Sequence, residues 1–524
     1  MNNFWINPDV NVSGDGSESS PFKTLNDFFA LASVTHPITI FIRAGSTQTG
    51  QFIDANNLLN NSGSDMSFIK PYGIGYLPII AQGVASSTAL SLTKARKLKI
   101  DSLHFVGQCN GTAFVNINPI NTNTSNRADV YIENCVVEGR AGVTQSYYVS
   151  MWMTANTSLG GEVSYFGLKN TKFIHVPKGV WVQGNSAAPS SQVGNIGDSY
   201  YGRGVIVDGC SFIDIGGDGA IMSNCCSTYD PLVLRDEDTS GIFNSVYRGG
   251  RMDFQNQATV AFWLSNCNKV LMSNLAVYNS VSSRGGLDKT AYDFDILCWN
   301  CLLEFSFSSG NGGGFLLTSN YANQVKPKPD GTDINTWYYT NRYGNGNNTA
   351  RYCLSFNDGW NKQKVWWQGY IFNLKFQNVT FIDTISRTFS SAAMYLEQTL
   401  PTVAAGITGL IYDSCNFYAP NSSTIRYLTS DSNNGTDALS KFTNNNFFGG
   451  AGISPIVPTN AVVSGNNSAD PLYSNCPVSS PSTLKQAVCI TVSSSSPLRS
   501  GGTVTSAPDI NGNAGSQIGW LQKY

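Results

Sequence analysis

The chain has 524 residues, of which 41% are hydrophobic and only 13% charged, against about a quarter in an ordinary domain. Its 24 Tyr, 28 Phe and 10 Trp need burial or a ligand and exclude a disordered chain. With 32 Lys and Arg against 34 Asp and Glu, nothing offers a basic surface to nucleic acid, and no apolar run is long enough to insert in a membrane.

The opening MNNFWINPDV lacks the charged and apolar regions of a secretory signal. Export is therefore expected after loss of a leader, or by another route such as lysis. Helical spacing is clearest in PFKTLNDFFALAS, where Phe22, Leu25, Phe28 and Phe29 recur on one face and Pro21 suits a first turn. This predicts a capping helix over 21–32.

After it the chain reads as short strands punctuated by Gly, Asn, Asp and Ser. VIVDGCSFIDIGGDGAIMSN, LVLRDEDTSGIFNSVYRGG, ATVAFWLSNCNKVLMSNLAVYNSV and AYDFDILCWNCLLEFSFSSGNGGGFLLTS follow one another from Val205 on. A loose period of roughly 20–30 residues is too short for β-α-β units and suits a β-solenoid, whose coils bury their apolar faces only by stacking. The fold class is all-β, a single-stranded parallel β-helix; a large sandwich is the alternative. Asn134, Asn224, Asn266 and Asn300 recur at bends, where Asn tolerates left-handed backbone and can form hydrogen-bonded ladders. Cys135, Cys210, Cys301 and Cys415 each open a similar strand and read as one inward column of free thiols. Cys225–Cys226 and the Cys298/Cys301 pair imitate a metal motif, but three His and no second CxxC argue against zinc. Inserts at 145–161, 186–202 and 321–350 are expected to protrude and wall a groove. The organisation is therefore a strand and capping helix over 1–37, a solenoid over 38–466 and a closing segment over 467–524.

Three segments carry a family resemblance. FWINPDVNVSGDGSESSPFKTLNDFFAL with ITIFIRAGSTQTGQ resembles the opening of many secreted β-helix proteins. AYDFDILCWNCLLEFSFSSGNGGGFLL resembles the centre of a bacterial β-helix repeat family, and SPLRSGGTVTSAPDINGNAGSQIGWLQ the usual closing segment. The resemblance is to the pectate-lyase-like superfamily and implies a right-handed parallel β-helix. That superfamily includes lyases, hydrolases and phage tailspikes, so fold alone does not name an activity. The family's central strand has a Tyr-Asn-Tyr-Ser-His-Asp-Asn-like form. Here it reads FSFSSGN, so chemistry resting on that His-Asp pair does not carry over.

Among groups able to do chemistry, Asp293-Phe294-Asp295 stands out. In a strand Phe294 would face the core and both carboxylates would leave by one face. Close carboxylates drive their pKa values apart, as acid–base cleavage of a glycosidic bond requires. A structural turn and a calcium ion held by Asp293/Asp295 are the alternatives; no other cofactor or metal is expected. Asp218, in GGDG about two coils earlier, is a partner base at roughly 10 Å, near the spacing of about 6.5–9.5 Å of an inverting pair; alone, GGDG is more often a tight turn. Arg251, Arg284 and Lys289 could bind an acidic sugar, with exposed surface charge as the alternative. Trp263, Trp337, Tyr338 and Trp360 could stack on sugar faces.

These readings point to an extracellular polysaccharide depolymerase, tailspike-like and acting on capsule or O-antigen. The rivals are a secreted bacterial lyase or hydrolase and a non-catalytic glycan-binding spike. By analogy with tailspikes the chain is expected to be a homotrimer, on a virion tail or secreted.

Overall fold

The computed structural model describes residues 2–84, 88–109, 111–121, 127–140, 148–155, 162–184, 202–249, 260–280, 290–319, 344–359, 365–368, 371–384, 409–421, 441–449, 462–473 and 495. The chain divides into two compact units, one of 1–188, 197–228 and 236–257, the other of 189–196, 229–235 and 258–524.

Each unit is built in the same way. A coil runs through three short strands, as Arg127–Glu133, Val136–Gly139 and Val149–Thr154 do in sheets I, II and III, and returns to sheet I one coil further on. Among the described residues the first unit holds eight, seven and six strands in the three sheets, and the second seven, six and four. All strand pairings among the described residues are parallel, and such crossovers turn right-handed. Both units are right-handed parallel β-helices, and among the described residues one short helix stands at the N-terminal end of the first. No helix of the described residues is long and apolar enough to cross a membrane.

Alternation places the core. Lys172, Phe173 and Ile174 lie in register with Ser211, Phe212 and Ile213; the two Phe point inward and stack at 4.9 Å with planes 8° apart. In the second unit Phe381, Phe417 and Phe447 repeat this over three coils, with centroids 5.1 and 5.0 Å apart. Each such pair adds ~0.5–1.5 kcal/mol beyond buried area.

Asn makes the bends. Asn134, Asn224, Asn266 and Asn300 all have φ between 52° and 54°, a left-handed state that few residues other than Gly accept. In the second unit Asn300 donates to Asn268 at 3.0 Å, Asn347 to Asn300 at 3.2 Å and Asn373 to Asn347 at 2.9 Å.

The N-terminal helix is shorter than its spacing predicts, Leu25–Phe29. The reason is a capping box: Thr24 accepts from the Asp27 amide while Asp27 accepts from the Thr24 amide. Pro21 and Phe22 stay outside it, and the Phe22 amide donates to Trp5 O instead.

Cys135, Cys210, Cys301 and Cys415 are buried and free, as expected, but Cys301 does not belong to the predicted column. Cys135, Cys210 and Cys415 each close the corner from sheet I to sheet II, and Cys353 is their fellow member. The Lys172 amide donates to Cys135 O, Val246 to Cys210 O, Thr380 to Cys353 O and Asn446 to Cys415 O. Cys301 instead stands at the corner from sheet III to sheet I, in a column with Val270 and Asn348. Every corner is followed by an apolar strand, so the local pattern cannot tell one corner from another.

Candidate functional site

Strand Phe262–Ser265 lies against Thr290–Phe294, pairing Phe262 with Tyr292, Trp263 with Asp293 and Leu264 with Phe294. Phe262, Leu264, Tyr292 and Phe294 are all fully buried, so the pleat turns Trp263 and Asp293 to the outer row. Leu317 continues that row beside Asp293. The row is nonetheless enclosed: Asp293 is 3% exposed and Leu317 4%, and Trp263 packs against Val260 and Leu317. The indole Nε1 of Trp263 is shut off from water and has no hydrogen-bond partner among the described residues, which costs ~1–3 kcal/mol. The strand ends at Phe294, so the alternation stops one residue short of Asp295. Asp295 is half-buried, and its amide donates to Leu264 O at 2.9 Å.

Asp218 belongs to the first unit. It ends the tight corner from sheet II to sheet III, its carbonyl accepting from the Gly179 amide at 2.8 Å. Its Oδ2 lies 2.6 Å from Lys178 Nζ, with both side chains largely buried. A second ion pair bridges the same two coils just before it, His175 Nδ1 to Asp214 Oδ2 at 2.6 Å. Sequence reading missed Lys178, His175 and Asp214. GGDG marked the turn, but partners 39 and 40 residues upstream of the two Asp carry no local sign.

Trp152 and Trp181 were missed as well. Each is flanked by inward apolar residues, in SMWMT and GVWVQ, and this alternation was a readable sign that both face outward. They stack at 5.6 Å and 13°, with Tyr148 tilted against Trp152 at 5.8 Å. One face of Trp152 is thus covered by Trp181.

Arg251, Arg284, Lys289, Trp337, Tyr338 and Trp360 lie outside the described residues. Among the described residues no group of three or more His, Cys, Asp or Glu is placed to hold a metal ion.

No family model matches the chain, and no curated protein does. Solved structures are similar in fold. A GH136 lacto-N-biosidase from Eubacterium ramulus, as its selenomethionine derivative, matches at a TM-score of 0.50 and 14% identity over 77% of this chain. The native protein matches at 0.50 and 14%, over 81% of this chain and 68% of its own. The chain spans 65% of the length of the first of these. A rhamnogalacturonan lyase covers 90% of the chain at a TM-score of 0.37 and 11% identity.

Proposed function

We propose that this chain is a carbohydrate-active enzyme that cleaves glycosidic bonds of an extracellular polysaccharide, with the outer row of the second unit as its site. In its finer form the reading is a tailspike-like depolymerase of a bacterial capsule or O-antigen, assembled as a homotrimer. The observation that carries the reading is the adjacency of Trp263 and Asp293 on consecutive coils. A carboxylate beside an indole, with an apolar wall of Val260 and Leu317, are the kinds of group that hold a sugar hydroxyl and its C–H face. The likeness in fold to a lacto-N-biosidase is in keeping with this.

In this mechanism Asp293 gives its proton to the leaving glycosidic oxygen. Asp295, just past the end of the same strand, takes a proton from the water that adds to the sugar. Asp218 is engaged by Lys178 in the first unit and is compared as a third position.

The test is incubation with purified capsular and O-antigen glycans. New reducing ends report hydrolysis; absorbance of a 4,5-unsaturated sugar reports elimination. Asp293→Asn should cost ~100-fold or more in turnover while leaving the melting temperature nearly intact. Full activity in both Asp293→Asn and Asp295→Asn would place the site elsewhere. Glycan binding without either product would favour a binding spike, and a monomeric mass in light scattering would remove the trimer.

A further inference from the structure

The chain has three histidines, and each is held differently. His36 is partly buried, with Nδ1 on Ser67 Oγ. His104 offers Nε2 to Glu138 at 2.9 Å, which leaves only Nδ1, the nitrogen shielded by its own backbone. His175 is reversed. Its Nδ1 meets Asp214 Oδ2 at 2.6 Å, and the side chain is 45% exposed. A carboxylate only accepts, so Nδ1 carries a proton, and the lone pair of the neutral ring is the one on the outer Nε2. Base and orienting carboxylate stand in the order that activates a nucleophile.

The backbone is shaped to make this pair. Ile213 pairs with Arg248 and Ile215 with Gly249, so Asp214 is skipped as a bulge. Bulges re-aim side chains and are common beside active sites. His175 and Asp214 both take φ of 54°, and the His175 amide donates to Ile213 O at 3.2 Å. The turn is thereby repeated on two consecutive coils. Three residues beyond His175, Lys178 brings a positive charge to the same corner, paired with Asp218.

We infer that His175, oriented by Asp214, is the general base of a hydrolytic site for acyl esters at this corner. The inference is independent of the glycosidic reading. Glycoside cleavage needs two carboxylates free to act as acid and base, and here Asp218 is held by Lys178 and Asp214 by the His175 imidazole. A single imidazole base instead suits attack by water on a carbonyl carbon. Water gives a proton to Nε2 as its oxygen bonds to the ester carbon. The tetrahedral adduct then breaks its bond to the alcohol oxygen, which takes the proton back from Nε2. Acid and alcohol are the products.

The test uses the full chain with p-nitrophenyl acetate, read as p-nitrophenol release against an equal concentration of imidazole. His175→Gln should lower the protein-catalysed rate ~100-fold or more. Asp214→Asn should lower it and alter its pH profile. His104→Gln should match the parent. A parent rate no greater than imidazole, full activity in His175→Gln, or an equal loss in His104→Gln overturns the inference. Where His175→Gln fails to fold, carbethoxylation of the parent with mass mapping decides. Hydrolysis must stop as His175 is modified, and hydrolysis that persists with His175 modified overturns the assignment.

Discussion

Arg351→Met is the substitution whose cost follows most directly from the coordinates. Glu304 is fully buried, and Arg351 donates to its Oε2 through Nε at 3.0 Å and an Nη at 2.8 Å. Its Oε1 is 2.6 Å from an Nη of Arg235, which is 40% exposed, and accepts from Ser273 Oγ at 3.2 Å. Removing one partner of a buried pair costs ~3–5 kcal/mol because the other charge stays out of water. Arg235 and Ser273 remain on one oxygen, so the lower end, about 3 kcal/mol, is expected. Arg235→Met should cost about 1 kcal/mol or less, since that guanidinium is half in solvent. Adding Glu304→Gln to Arg351→Met should restore most of the loss, because no buried charge is then left. The assay is the denaturant midpoint at constant slope, with hydrogen exchange on strands Leu302–Glu304 and Thr349–Arg351 to localise the effect. Equal costs for the two Arg variants, or no recovery in the double variant, would refute the reasoning.

Three further outcomes follow. Burial pushes the thiols of Cys135 and Cys210 up to about 12 and raises Cys353 and Cys415 still further. At pH 8 the folded chain should resist alkylation at all four, and denaturant should release them; rapid native labelling would contradict the corner column. His36 is lowered, first by burial and then by Arg96, so the folded state refuses a proton that the unfolded chain binds. Stability should therefore fall as pH drops below about 6.5, and His36→Gln should flatten that slope in denaturant titrations. Phe417→Ala opens the stack between Phe381 and Phe447 and should cost ~3–5 kcal/mol by the same assay; a loss under 1 kcal/mol would mean that the column repacks.

What the amino-acid order determined by itself is whatever one coil decides locally. The bends are legible because Asn134 and Asn300 accept left-handed backbone at little cost. The helix start is legible as Thr24-x-x-Asp27, although the wider apolar spacing overran it. The outward placement of Trp263 and Asp293 follows from alternation with Phe262, Leu264, Tyr292 and Phe294. Only the tertiary structure decided which corner of the coil a residue occupies and what lies one coil away. Coil lengths vary, so sequence spacing does not convert to register; the ladder of backbone hydrogen bonds sets it. That is why Cys301 left the column that Cys353 completes, and why Asp218 met Lys178. It is also why His175 and Asp214, 39 residues apart, came together. A β-helix writes its bends locally, but the contacts between coils arise only when the coils stack.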